Sequence, residues 1–281
     1  MPEPFVDLHP QDALRYGLRE GGLARVTSRW GSLVARVKHG GGMARGSVFV
    51  PIHWNAQNCS DARVGALVNP AVDPLSGEPE FKHTPVKIEA FAVQWYGFAL
   101  TREPHAVTQA CHWTRIQGRQ LTRYELAGRT SASQCSAWAR NWLDLPADGA
   151  DWLEYEDAAA GVYRAVRLVD ERLAACIFIS PRPDLPSRAW LASLFALPQL
   201  SDAERAGLLS GQPMQAGADV GPVVCSCFGV GRNTLRAAIC AQGLQTPAEI
   251  TACLKAGGNC GSCVPELKQL LAECVALPAA S

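Results

Sequence analysis

The chain has 281 residues, with 26 basic and 26 acidic side chains and a formal net charge of zero. That length holds two domains or three small ones. The charge balance excludes a nucleic-acid or membrane-surface partner recruited by overall charge. No apolar run approaches the ~20 residues that span a bilayer; the longest, residues 173–179, has strand length. The opening residues lack a basic stretch followed by an apolar one, so no secretory signal is expected and a cytoplasmic location is. Eleven cysteines in that setting read as reduced thiols and metal ligands rather than disulfides.

In chain order, Asp12 is placed to cap a short helix over residues 13–18, ended by Gly21-Gly22. Alternating β-type runs follow at 23–28 and 32–37, separated by a turn at Trp30-Gly31. A glycine-rich region, Gly40-Gly41-Gly42, leads to a further run at 46–51. Short alternating runs with glycine turns predict a compact β-barrel. Residues 53–83 are irregular and rich in Asn, Pro, Asp and Gly, and a loop of that length is often functional. By residue type alone, His53 and Trp54 are as well read as barrel-rim packing, Lys82 as a solvated charge and His9 as a turn residue.

The text of this region, "VDLHPQDALRYGLREGGLARVTSRWGSLVARV", "GSVFVPIHWN" and "VDPLSGEPEFKHTPVKIE", resembles the C-terminal molybdopterin-dinucleotide-binding domain of molybdenum oxidoreductases related to dimethyl-sulfoxide reductase. Within that family "HWNAQNCSDARVGALVNPAVDP" is most similar to assimilatory nitrate reductases. The resemblance implies a six-stranded double-psi barrel whose loops hold a bis-guanine-dinucleotide cofactor. It would place His53, Trp54 and Asn55 beside the cofactor, and Phe81 and Lys82 at pterin or phosphate. Many relatives have an Asn-Asn-Leu-Thr-like run where this chain has Gly65-Ala66-Leu67-Val68, so only backbone contact would remain at Gly65. No Cys or Asp here reads as a molybdenum ligand.

Between 92 and 222 the runs at 92–102 and 111–126 are strand-like, and Trp138, Trp142 and Trp152 follow in a mixed segment. A hairpin is predicted from 163–169 and 173–179 across the turn Asp170-Glu171-Arg172. It resembles, weakly, a β-rich segment of pyridine-nucleotide flavin reductases and nitrite reductases. Helix-like pieces at 187–195 and 201–209 precede a Pro-, Gly- and Ala-bearing linker at 212–221. Cys176, in an apolar run, is read as core, and Cys240, Cys253 and Cys274 as packing or surface thiols.

The densest chemistry is near the C-terminus: Cys225-Ser226-Cys227, then 32 residues, then Cys260-Gly261-Ser262-Cys263. In extended chain, residues i and i+2 point the same way, so Cys225 and Cys227 offer two sulfurs on one side. A Gly-Ser turn lets Cys260 and Cys263 converge. Four such thiols would hold a [2Fe-2S] cluster, a tetrahedral zinc, or disulfides or nothing. Zinc modules usually open with C-x2-4-C, so the C-x-C fits zinc less well. Between the pairs, Asn233 is placed to cap one helix and Thr246-Pro247-Ala248-Glu249 forms a capping box for a second, which stops at Gly257. A third starts near Pro265 with Leu267, Leu270 and Leu271 on one face. A [2Fe-2S] cluster of about −2 charge suits ligands near helix starts.

Residues 223–274, with "VVCSCFGVGRNTL" and "AGGNCGSCVPEL", resemble the bacterioferritin-associated-ferredoxin-like [2Fe-2S] module, all four cysteines included. The resemblances together imply a multidomain α+β chain. Residues 1–91 would form the double-psi β-barrel, 92–211 a β-rich α+β spacer, 212–222 the linker and 223–281 a small helical [2Fe-2S] domain. The function implied is the C-terminal portion of an assimilatory nitrate reductase, reducing nitrate to nitrite. Cys225, Cys227, Cys260 and Cys263 would be electron-relay ligands, and residues 53–82 part of the Mo-bis(molybdopterin guanine dinucleotide) site. A ferredoxin, flavodoxin or NADH-dependent reductase would donate electrons. The chain shows no four-cysteine [4Fe-4S] motif and no large central pterin domains, so the catalytic molybdenum/[4Fe-4S] domains or subunit are expected as a partner. The alternative is a standalone [2Fe-2S] electron-transfer or redox-sensing module.

Overall fold

The computed structural model describes residues 3–40, 42–80, 83–118, 120–130, 135–143, 152–214, 220–225, 228 and 230–275. The chain divides into two compact units, Met1–Val169 with Leu173–Leu185, and Asp170–Arg172 with Pro186–Ser281. It is a mixed α+β protein.

The first unit opens with β1 (Phe5–Leu8), α1 (Pro10–Arg15), β2 (Leu23–Thr27), β3 (Ser32–His39), β4 (Val48–Phe49) and β5 (Lys87–Ala90). These strands form one sheet in the order β4-β1-β3-β2-β5, with β1 parallel to β3 and the other pairs antiparallel. Val6, Leu8, Val26, Leu33, Ala35 and Val37 close its core with Ala13, Leu18 and Leu67. Gly31 is required at the β2–β3 turn, because a Cβ there would stand 2.5 Å from the Ala66 carbonyl oxygen. Asp12 is not the cap of α1. His9 holds that position, its Nδ1 accepting from the Gln11 N–H, while the Asp12 carboxylate accepts from the Gly46 N–H at 2.7 Å. Proline at the first helical position makes His9 the residue before the helix.

A second, six-stranded sheet contains β6 (Trp95–Thr101), β7 (His112–Gln117), β8 (Thr122–Gly128), β9 (Trp152–Asp157), β10 (Val162–Val169) and β11 (Arg172–Ser180). Its order is β7-β8-β6-β11-β10-β9. The predicted hairpin is β10–β11, with Asp170 and Glu171 both at positive φ, as a two-residue hairpin turn needs. The strand-like stretch at 111–126 holds β7 and most of β8. Helix α2 (Cys135–Trp142) stacks Trp138 on Trp142 at 5.5 Å and sets Trp138 against Trp95 at the same distance. Gly128 makes room for Trp95, whose ring would lie 2.2 Å from an added Cβ.

Strand β3 is buried on both faces over Leu33–Val37. One face joins the core above; on the other, Val34 packs with Leu23, Phe91 and Ala127. The loop after β4 is stitched to the edge of the second sheet. The Ser60 N–H donates to the Trp113 carbonyl at 2.9 Å and the Arg115 N–H to the Asn58 carbonyl at 2.8 Å. This pairing covers an edge strand that would otherwise present free backbone groups.

The second unit carries α3 (Arg188–Leu194), α4 (Asp202–Gly207), β12 (Val223–Cys225), β13 (Val230–Gly231), α5 (Arg232–Gln242), α6 (Pro247–Leu254) and α7 (Val264–Val275). Ser187 caps α3, and Ser201 with Glu204 makes a capping box on α4. Part of the predicted linker, residues 215–219, lies outside the described residues. Leu235, Ile239, Ile250, Leu267, Leu270 and Leu271 form the core of the terminal helices. No helix among the described residues is long and apolar enough to cross a membrane.

Charge is buried within the first unit. Arg36 on β3 bonds Glu3 at 2.9 Å and the Gly21 carbonyl at 2.9 Å, and lies 3.9 Å from Glu125 on β8. The Glu125 side chain is fully buried and accepts two bonds from Arg123, at 2.6 and 2.8 Å. Burial works against the charged Arg36, but Glu3 and Glu125 outweigh it and raise its pKa. His112 on β7 is fully buried beside this group, and its pKa is pushed down to about 3, first by burial and then by Arg36, with Glu125 opposing. Neither ring nitrogen has a hydrogen-bond partner among the described residues. The unfolded chain therefore binds a proton at this histidine between about 6.5 and about 3 that the fold refuses. The stability held above pH 6.5 is lost as the pH falls, by about 1.4 kcal/mol per unit. Urea unfolding followed between pH 6.5 and about 5 is expected to show this slope, and His112→Gln is expected to flatten it. Equal slopes in the two proteins would contradict the assignment.

Candidate metal centre and dinucleotide groove

Cys225 ends β12, pairs with Val230 of β13 across an irregular register, and is buried. Cys227 lies outside the described residues. The chain then turns into α5 through Gly231, where a Cβ would stand 1.9 Å from the Val220 carbonyl oxygen, so only glycine passes. Gly231 is also the N-cap; the predicted cap, Asn233, lies inside the helix. The first α5 N–H groups are taken by backbone, Arg232 donating to the Pro222 carbonyl at 2.8 Å and Asn233 to that of Val220 at 3.0 Å.

On the other side, α6 has the predicted box: Thr246 accepts from the Glu249 N–H, and the Glu249 side chain returns to the Thr246 N–H. The helix ends at Lys255, in the left-handed region, two residues before Gly257. Thr251 Oγ1 donates to the carbonyls of Pro247 and Ala256 and shapes the loop that follows. Cys260 is exposed, its Sγ 3.2 Å from Ser262 Oγ. Cys263 is buried immediately before α7, and the Cys225 thiol is near enough to act on it electrostatically. Burial and then Cys225 push the Cys263 thiol up, while a bond from the Gly257 N–H pulls it back.

The structure thus brings together Cys225 and Cys263, one thiol from each predicted pair, with Cys260 on the same loop as Cys263. No cluster of three His, Cys, Asp or Glu side chains at ligand distance is present among the described residues. The chemistry of the donor set fits a thiolate-bound metal group. Two buried neutral thiols near one another satisfy each other poorly, and a cation makes both thiolates. The N–H groups that act on the Cys263 sulfur are those of Gly257 in the loop and of Cys263 itself, just before α7.

The second candidate site lies in the first unit. His53 and Trp54 line a groove of about 770 Å³ with Phe5, Phe49, Ile52 and Arg115. Asn55 instead organises its own loop: its Oδ1 accepts from the Gln57 N–H and its carbonyl from the N–H groups of Asn58 and Cys59. Gly65 is exposed in a 3-10 turn (Val64–Ala66) with open space around its Cα. Phe81 and Lys82 lie outside the described residues. Arg115, Ile116 and Gln117 reach the groove from β7, and the Arg115 guanidinium donates to the Gln57 carbonyl at 3.0 Å. Sequence reasoning missed Arg115, because nothing local ties β7 to residues 53–58. Aromatic walls with a guanidinium suit a large, partly planar, anionic ligand.

Comparison with known proteins finds one family model at each end of the chain. Residues 1–85 match the family model described as the molydopterin dinucleotide binding domain, and residues 223–273 that of the BFD-like [2Fe-2S] binding domain. The chain is 36% identical over 270 residues to "Nitrate reductase" of Klebsiella oxytoca, covering 96% of this chain and 30% of that protein. It is 38% identical over 87 residues to "Assimilatory nitrate reductase catalytic subunit" of Bacillus subtilis (strain 168), covering 31% and 12%. It is 36% identical over 87 residues to "F420-dependent formate dehydrogenase subunit alpha" of Methanocaldococcus jannaschii, again covering 31% and 12%. The chain spans less than a third of the length of each of these relatives. It carries, in one polypeptide, a molydopterin dinucleotide-binding domain and a BFD-like [2Fe-2S] domain.

Proposed function

We propose that this chain is the C-terminal part of a molybdenum-dependent assimilatory nitrate reductase, reducing nitrate to nitrite. The observation that carries the reading is the Klebsiella relative, similar over both domains and the segment between them. The similarity to a formate dehydrogenase is confined to 87 residues, so it weighs less on substrate. In this reading residues 1–91 are a double-psi barrel, which the parallel β1–β3 pair inside an otherwise antiparallel sheet supports. Residues 92–211 are the spacer, 212–222 the linker and 223–281 the electron-entry domain.

The cluster would be held by Cys225, Cys227, Cys260 and Cys263, and the dinucleotide by His53, Trp54, Asn55, Gly65, Phe81 and Lys82, with Arg115 added from β7. When bound, the [2Fe-2S] group supplies one-electron transfer and the molybdenum group oxygen-atom chemistry. What this chain's residues supply is burial of Cys225 and Cys263, an N–H bond from Gly257 and a cationic wall at Arg115. The large catalytic domains and a ferredoxin, flavodoxin or NADH-dependent donor would be its partners, in the cytoplasm.

Two substitutions test the ligand set. Cys260→Ser or Cys263→Ser is expected to abolish bound iron and sulfide. Cys176→Ala, which removes a fully buried thiol on β11 whose pKa burial pushes up to about 12, is expected to leave the cluster spectrum intact. Equal loss from all three would sink the assignment. For the groove, Lys82→Ala or Arg115→Gln is expected to reduce retained molybdenum and guanine nucleotide in the complete enzyme. A charge-assisted contact contributes roughly 1.5–3 kcal/mol, or about tenfold and more in retention. The [2Fe-2S] signal should not change. Unchanged molybdenum and nucleotide content would leave both residues as surface charges.

A further inference from the structure

The backbone that leads into the Cys260–Cys263 loop is gripped by one side chain of the helix before it. Thr251 is partly buried on the last turn of α6. Its carbonyl accepts from the Lys255 N–H at 2.9 Å, the bond that closes the helix. Its hydroxyl lies 2.9 Å from the Pro247 carbonyl oxygen, one turn back, and 2.7 Å from that of Ala256, beyond the helix end. A threonine inside a helix commonly bonds the carbonyl four residues back. The nearer, forward acceptor makes this one a tie across the cap. The same side chain bounds the next two residues. A Cβ added at Gly257 would stand 3.2 Å from Thr251 Oγ1, and one at Gly258 2.8 Å from Thr251 Cγ2. From the other side, Leu267 Cδ1 and Val264 Cγ2 would lie 3.1 and 3.4 Å from the Gly257 Cβ. Gly257, at a φ of +87°, is thus clamped between Thr251 and the first turn of α7, which begins directly after Cys263.

We propose that Thr251 is a positioning residue for the metal centre. Its hydroxyl fixes the Ala256 carbonyl and its flanks fix Gly257 and Gly258, so the ligand loop is held in its binding conformation before any metal arrives. The inference rests on the reading of Cys260 and Cys263 as metal ligands. Groups behind the ligands contribute to metal affinity by orienting them, and a site built on fixed backbone loses less freedom on binding. The hold on Gly257 has a second effect, because the Gly257 N–H acts on the Cys263 sulfur. An N–H donor favours the more negatively charged, reduced state of a bound cluster. A loop free to shift would weaken that donor and make the reduction potential more negative. Thr251 touches no ligand atom and takes no part in electron transfer; it acts through the backbone that it holds.

The test uses the full chain purified without oxygen, as wild type, as Thr251→Val, which keeps the shape and removes the hydroxyl, and as Thr251→Ser, which keeps the hydroxyl. Metal release is followed with the coloured chelator pyridylazoresorcinol, which reports iron and zinc alike. The reduction potential is read by redox titration with electron-paramagnetic-resonance detection. Thr251→Val is expected to release its metal about tenfold faster and to have a more negative potential, with helix content by circular dichroism unchanged. Thr251→Ser is expected to restore both values. Wild-type release and potential in Thr251→Val would overturn the proposal, and so would the same defect in the valine and serine variants. Gly258→Ala approaches Thr251 from the loop side and decides the matter if Thr251→Val fails to fold: faster release supports the proposal and wild-type release overturns it. Zinc in the wild type in place of iron and sulfide would sink the [2Fe-2S] reading, while the release rates would still decide the role of Thr251. A wild-type chain that takes up neither metal after anaerobic reconstitution would overturn both.

Discussion

The first unit depends on a charge buried where two sheets meet. Arg36 comes from a strand with no solvent face, and it takes Glu3, the Gly21 carbonyl and Glu125 as partners. Glu125 in turn is held by Arg123 on its own strand. Each ion costs several kcal/mol to desolvate, so the group is tolerable only when all its members are in place. Its energetic role is therefore asymmetric: it adds little to stability when complete and removes much when one partner is lost. It ties β3 of one sheet to β8 of the other, while Leu23, Val34, Phe91 and Ala127 supply the apolar contact around it.

That junction has a consequence for the groove. With β3 held against β8, β7 lies alongside the loop after β4, and the bonds of Ser60 to Trp113 and of Arg115 to Asn58 follow. His53 and Trp54 then share one groove with Arg115, although about sixty residues separate them in sequence. A segment that reads as a spacer in the sequence thus supplies a wall of the proposed cofactor site. In the second unit a different constraint acts, close backbone approach. Gly231 against Val220 sets the turn from β13 into α5, and Gly257 brings an N–H to the Cys263 sulfur.

Local signals were legible in the sequence. The Thr246–Glu249 box, the hairpin around Asp170-Glu171 and the Leu267, Leu270, Leu271 stripe each lie within a few residues, and each is present. Of the four predicted cysteine ligands, Cys225 and Cys263 lie within electrostatic range of each other, and Cys227 lies outside the described residues. The misreadings share a cause. Asp12 and Asn233 are good capping residues by type, but Asp12 is drawn off to the Gly46 N–H, and Asn233 is placed inside α5 by the Val220 and Pro222 carbonyls. Arg36, Glu125, His112 and Arg115 were not legible, because the fold brings each of them to groups from segments distant in sequence. Asn55, read beside the cofactor by resemblance, also organises its own turn, its Oδ1 accepting from the Gln57 N–H and its carbonyl from the Cys59 thiol.

The central claim is that the C-terminal thiols hold an iron–sulfur group that passes electrons. It is tested most directly by iron, acid-labile sulfide and zinc content on protein purified without oxygen, with an electron-paramagnetic-resonance spectrum after reduction. The account predicts about two irons and two sulfides per chain and a reduced [2Fe-2S] signal. Zinc alone, with no sulfide even after anaerobic reconstitution, would make the domain a structural module and contradict it.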